Sequence, residues 1–490
     1  MGRTPISRSR NASNTPHKPL RAGLYTTFSK RLIRTALMRM RDLHVSGCRM
    51  DQLDPRCSAK LWLTLVRPIL EYGAETWTPN KTQADAFERT QTKFARTVLG
   101  CCSSTATVFV NSELGFRSLS ARRDVLRLLF WRRLCAAAPE RLLSRVFHQR
   151  VLDVSKDAEK YKHSLCAAMK ETLERYDLID SELEFEQANS HIVHETQDEW
   201  HAAVKTRVMH REHEDRLTEI GRLSTLQLYQ REELAPRLGS IASYLIRSRN
   251  TEGVWIRSRL RSGTLALLRT LGRRCDPPRT ARQSRCTMCP PARIEDNQEV
   301  DDSDDDEAAA EDAEHFVTRC RAAPLVQLRL GLIDRLRHAA SEWEEAADLK
   351  EGADGVDADH PEGPSVGLRR RQAGAVELEA LLDEAGAEFN LDLERGPRPV
   401  TAAPADTSGA MALRRWTKLI LGGETYVSSG CQSLRWPPSL LPLMHAAVHN
   451  YLMLIWRARG RLMHGVAALS PDGTGIVFEP YVKFKGIGVR

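Results

Sequence analysis

Twenty consecutive residues, Glu295 to Glu314, contain twelve acids and no base. No hydrophobic core accepts such a run, because each buried carboxylate would need its own cation. The run therefore reads as a solvated, disordered insertion. It lies between two pairs of metal-ligating side chains. Cys286-Thr287-Met288-Cys289 precedes it, and His315-Phe316-Val317-Thr318-Arg319-Cys320 follows after 25 intervening residues. Two thiolates on a tight turn, with a His and a Cys on a short helix, complete a tetrahedral site for one zinc ion. Zinc suits the set because it takes soft sulfur and borderline nitrogen donors without a ligand-field preference. Cys275 is a spare donor nearby. The competing reading is two buried thiols beside an ordinary histidine. A second cation site at Asp301, Asp302, Asp304, Asp305 and Asp306 lacks the turn glycine of a calcium loop.

The charge of the chain is segregated. Residues 1–294 carry 51 Lys and Arg against 31 Asp and Glu, residues 295–362 carry 6 against 22, and residues 363–490 carry 15 against 11. A basic first half predicts a polyanion partner, RNA or DNA, held through phosphate contacts that ignore sequence. The candidate contacts are Lys30, Arg31 and Arg34, the pairs Arg122 with Arg123 and Arg132 with Arg133, and Arg257, Arg259 and Arg261. The bland alternative for each is the solvated face of a helix.

The aromatic fraction is only 6% and the hydrophobic fraction 41%, which disfavours sandwiches and barrels but leaves enough for helical cores. The expected fold is mainly α: a basic tail over 1–20, a helical bundle over 21–150, extended acidic helices over 151–240, a helical segment with the zinc knuckle over 241–350, a Gly- and Pro-rich linker over 351–410, and terminal helices over 411–490. Leu32, Ala36, Met40 and Leu43 form one stripe, and Asp54-Pro55 marks a helix start. Pro68 predicts a kink and Gly100 a helix end. A short strand is expected over Val477 to Phe484. The stretch Trp436 to Trp456 lacks charge but holds three prolines and two histidines, which argues against a membrane span. With no secretory signal in residues 1–21, eleven cysteines fit a reducing compartment, the nucleus or the cytoplasm. Arg369-Arg370-Arg371 reads equally as a nuclear signal or a linker cluster.

Several segments, taken in order, resemble the region after the polymerase core of non-LTR (LINE-type) retrotransposon reverse transcriptases. They are Leu65-Val66-Arg67-Pro68-Ile69-Leu70-Glu71-Tyr72-Gly73-Ala74-Glu75-Thr76-Trp77, Phe87-Glu88-Arg89-Thr90-Gln91, Glu113-Leu114-Gly115-Phe116-Arg117-Ser118-Leu119, Arg259-Leu260-Arg261-Ser262-Gly263, Glu311-Asp312-Ala313-Glu314-His315-Phe316 and Ile455-Trp456-Arg457-Ala458-Arg459. The resemblance implies a thumb-like helical bundle followed by a Cys-Cys-His-Cys knuckle, with Cys286, Cys289, His315 and Cys320 as ligands. It also implies a nucleic-acid partner and a polymerase-bearing chain as a further one. The family's aromatic-x-Asp-Asp pair, which holds two catalytic magnesium ions, is absent. Every x-Asp-Asp here, Val300-Asp301-Asp302 among them, lies inside the aromatic-free acidic run. The expectation is a non-catalytic nucleic-acid-binding portion, with no catalytic residues assigned. The alternative is a helical interaction protein or a decayed fragment without activity. A nuclease remnant would have to use Pro471, Asp472, Glu479 and Lys483. The last two are spaced by four residues, which places them wrongly for a Glu-x-Lys strand.

Overall fold

Helix starts and stops follow the side chains that satisfy exposed backbone groups. The Asp54 carboxylate accepts from the Arg56 amide at 2.7 Å, with Pro55 at the first helical position, so helix α2 (Pro55–Leu61) begins where the sequence marks it. A computed structural model describes residues 20–49, 52–161, 164–179, 192, 196–245, 250–272, 282–284, 286–289, 310–353, 378–383, 385–387, 415–422, 425–427, 433–436 and 440–463. Most of what it describes is helix. One short antiparallel hairpin pairs β1 (Thr425–Val427) with β2 (Ser433–Arg435). Cys275, the calcium alternative, the arginine triplet, the nuclease residues and the Val477–Phe484 strand all lie outside the described residues.

The kink expected at Pro68 takes a specific form. The chain passes from α2 through a wide π-turn at Trp62–Val66 into α3 (Arg67–Glu71). Proline lacks an amide proton and crowds the carbonyl four residues back, and widening the turn by one residue relieves both problems. In α4 (Lys81–Val98), Asn80 and Gln83 cap each other reciprocally. The helix ends at Gly100, whose φ is +60°. There the Cys101 amide reaches back to the Arg96 carbonyl at 2.9 Å.

Helix α1 (Leu20–Val45) buries Leu32, Ala36, Met40 and Leu43, the expected stripe. They join a large core with Trp62, Phe94 and Phe116, in which the Trp62 and Phe94 rings stack at 4.9 Å. This core is not confined to the first 150 residues. It continues through α5 (Thr107–Glu113), then resumes after residue 220 with α10 (Thr251–Arg261), α11 (Ala323–Ala353) and α12 (Leu441–Met463). Helices α10 and α12 cross at Gly253, where a Cβ would stand 2.2 Å from the His449 carbonyl oxygen. Only glycine permits that approach.

A second core lies in between. It is built from α6 (Leu119–Cys135), α7 (Leu142–Lys156), α8 (Leu165–Arg175) and α9 (Gln197–Arg222). Trp131 meets Phe147 edge-on at 4.7 Å, and the Trp200 indole donates to the Leu128 carbonyl at 3.2 Å. The thin stripe of the 151–240 region thus closes around Met169, Leu173, Trp200, Val204 and Val208, which makes a packed bundle rather than an extended pair. Among the described residues, no helix is long and apolar enough to cross a membrane.

Candidate metal centre

The loop with Cys286 and Cys289 faces a five-residue π-turn, His315–Arg319, that ends at Cys320. Local bonds shape that turn. The Asp312 carboxylate accepts from the His315 amide at 2.8 Å, and the Cys320 amide reaches the His315 carbonyl at 2.7 Å. The bond spanning five residues swings His315 and Cys320 to the same side. Phe316 and Val317 anchor the turn in the main core, with Phe316 edge-on to Trp456 at 6.1 Å.

The four ligand atoms lie within 4.8 Å of one another. Cys286 Sγ is 3.8 Å from Cys320 Sγ, which is 3.7 Å from Cys289 Sγ, and Cys289 Sγ is 3.4 Å from His315 Nε2. For tetrahedral bonds of about 2.3 Å to sulfur and about 2.05 Å to nitrogen, the edges should be about 3.8 Å between sulfurs and about 3.6 Å from sulfur to nitrogen. The residues present therefore fit a tetrahedral ion, and the group can hold one metal. The Cys286 and Cys320 sulfurs beside it, and a hydrogen bond from the Arg321 amide, pull Cys289 downward. Cys320 shifts upward, because it keeps its proton between two sulfurs.

No protein-family model, no curated protein and no solved structure matches this chain.

The sequence pattern places the four ligands but not their supports. The acidic run was expected to be solvated throughout, and its last residues overturn that. Glu311 is fully buried. Its amide bonds the Ser284 carbonyl at 2.9 Å, and its carboxylate takes both Arg459 Nε at 2.5 Å and the Leu268 amide at 2.9 Å. Glu314 pairs with Arg231 and Arg319. Each of these acids has found a cation that lies far away in the sequence, as Arg459 and Arg231 do, or an amide. The earlier residues of the run lie outside the described set.

The basic candidates divide by burial. Lys30, Arg31 and Arg34 are exposed on α1, as is Arg133 on α6. Arg132 is half-buried. Arg122 is half-buried and ion-paired with Glu71. Arg259 is half-buried over the Trp255 ring at 4.4 Å. Arg123, Arg257 and Arg261 are buried at 2%, 0% and 1% exposure and cannot reach a phosphate, which corrects their assignment. Arg123 donates to the Leu70 carbonyl at 2.8 Å and lies over Trp77. Arg257 bonds His445 and the Leu419 carbonyl, and Arg261 pairs with Glu113 at 2.8 Å. An arginine spaced regularly on an amphipathic helix looks the same in sequence whether it faces water or a distant carboxylate.

Proposed function

We propose that this chain is a zinc-stapled, non-catalytic nucleic-acid-binding segment related to the C-terminal part of a non-LTR retrotransposon reverse transcriptase. The Cys286, Cys289, His315 and Cys320 cluster carries the reading. Three thiolates and one imidazole at tetrahedral spacing are a donor set that favours zinc over harder ions. When bound, zinc would supply a structural cross-link between the Cys286 loop and the His315 turn.

A second observation supports the family reading. The segments that resemble the family meet one another in space. Glu113 joins Arg261, and Glu311 joins Arg459. Residues that share one fold are expected to occur as a set, even when far apart in sequence.

The nucleic-acid face we assign is α1. It carries six Lys and Arg and a single Asp, spread along about 39 Å of helix. Lys30, Arg31 and Arg34 point outward there. Phosphate contacts of this kind position the partner without reading its bases.

Two measurements test the reading. Freshly purified protein is expected to hold one zinc per chain by native mass spectrometry, lost in Cys289→Ser. Metal-free wild-type protein would remove the basis of the proposal. Binding to labelled single- and double-stranded DNA and RNA should weaken steeply with salt, roughly 40-fold between 0.05 and 0.2 M for three phosphate contacts. The triple charge reversal Lys30→Glu, Arg31→Glu, Arg34→Glu should flatten that dependence by about three contacts. Absence of binding at low salt would favour a helical interaction protein instead.

A further inference from the structure

We infer that Arg329 is the residue that positions the metal centre and balances its charge. It sits on α11 and is fully buried. Its Nε donates to the Val317 carbonyl at 3.0 Å, Nη1 to the Cys320 carbonyl at 2.6 Å and Nη2 to the Phe316 carbonyl at 3.2 Å. One guanidinium thus gathers three carbonyls from the turn that presents His315 and Cys320. Such a turn leaves carbonyls without helical partners, and the planar fork of arginine matches several acceptors at once.

The charge argument is independent of that geometry. Three thiolates and a neutral imidazole around a divalent cation leave one net negative charge. Cys286, His315 and Cys320 are 5%, 6% and 0% exposed, so that charge would be formed largely away from water. A buried net charge is costly unless an opposite one is fixed nearby. Arg329 provides it. The guanidinium lies on the carbonyl of a ligand residue, Cys320. The nearby Arg319 is exposed and already joined to Glu314, which makes it a poor alternative. Arg329 falls outside every motif read from the sequence.

This inference rests on the cluster holding a metal, and the test separates the two claims. Zn²⁺ and Co²⁺ affinities of the full-length chain are measured by competition with a chelating dye, for wild type, Arg329→Met and Arg329→Lys. Co²⁺ absorption reports whether the ligands remain tetrahedral. Arg329→Met is expected to weaken both metals by roughly 10–100-fold, with the tetrahedral cobalt spectrum retained. Arg329→Lys, which keeps the charge but loses the fork, should fall in between. A purely structural role predicts instead equal losses for Lys and Met, together with a distorted cobalt spectrum. If Arg329→Met fails to fold, the comparison of Arg329→Lys with wild type decides. Metal affinities within twofold of wild type in either folded variant overturn the inference, whereas a wild type that binds no metal overturns the reading beneath it.

Discussion

Glu113→Gln is expected to destabilise the protein by about 3–5 kcal/mol, because it leaves Arg261 as a buried cation facing a neutral amide. Both side chains of the pair are 0% exposed. The Glu113 carboxylate accepts from Arg261 Nε at 3.0 Å and Nη2 at 2.8 Å, from Tyr229 Oη at 2.8 Å and from Tyr244 Oη at 2.5 Å. Burial, and then its negative charge, pushes both tyrosines well above their ordinary range, and the same charge outweighs burial to raise Arg261. Glutamine keeps the shape but removes the charge and turns one accepting oxygen into a donor that faces a tyrosine hydroxyl and an Arg261 nitrogen, so the loss combines both effects. Urea unfolding followed by tryptophan fluorescence reads it directly. The double variant Glu113→Leu, Arg261→Met should be less damaged than the single one, since no lone charge remains. A Glu113→Gln protein within 1 kcal/mol of wild type would show that water or another acid reaches Arg261.

Acid should weaken the protein in a window set by two histidines. Arg257 Nη1 donates to His445 Nδ1 at 3.0 Å and to His449 Nε2 at 3.3 Å, which fixes both rings as neutral acceptors. Around them stand Arg261, Tyr244, the Ser243 hydroxyl and the Leu419 carbonyl. Among the described residues, Glu113, whose charge acts on Arg257, is engaged by Arg261 and the tyrosines. Burial, then the Arg257 charge, lowers both histidines well below 6.5. The unfolded chain, with histidines near 6.5, therefore binds more protons than the folded one at any pH between the two values. Stability is flat above 6.5 and falls below it, by up to about 2.7 kcal/mol per pH unit for the pair. Carboxylates add their own loss only at lower pH. The double variant His445→Gln, His449→Gln keeps an acceptor for Arg257 and should shift the onset of acid unfolding downward. An unchanged onset would mean that the histidines titrate normally and that the cluster is looser than described.

The helical class, the stripe of α1, the caps at Asp54 and Gly100 and the four ligands could all be read from local pattern. Each depends on spacing within one or two turns, where sequence and geometry are tightly bound together. What could not be read was pairing at long range. Arg261 and Glu113 are 148 positions apart, as are Arg459 and Glu311. Nothing in either neighbourhood marks the partner. The same blindness gave three buried arginines a role at the surface and treated Glu311 as solvated. The resemblance did flag these segments, although it could not say that they flag one another.

The main core is interrupted in sequence by the second one, and this has a consequence for synthesis. Residues 121–208 hold all the buried apolar members of the second core, so that bundle can close soon after it leaves the ribosome. The main core waits for α12, which begins at Leu441. At ordinary elongation rates the interval from Leu119 to Leu441 is roughly 15–60 s. Until α12 arrives, Phe316 lacks Trp456 and Gly253 lacks its crossing with His449, so the nascent chain carries a finished bundle in its middle beside a main core that is still open.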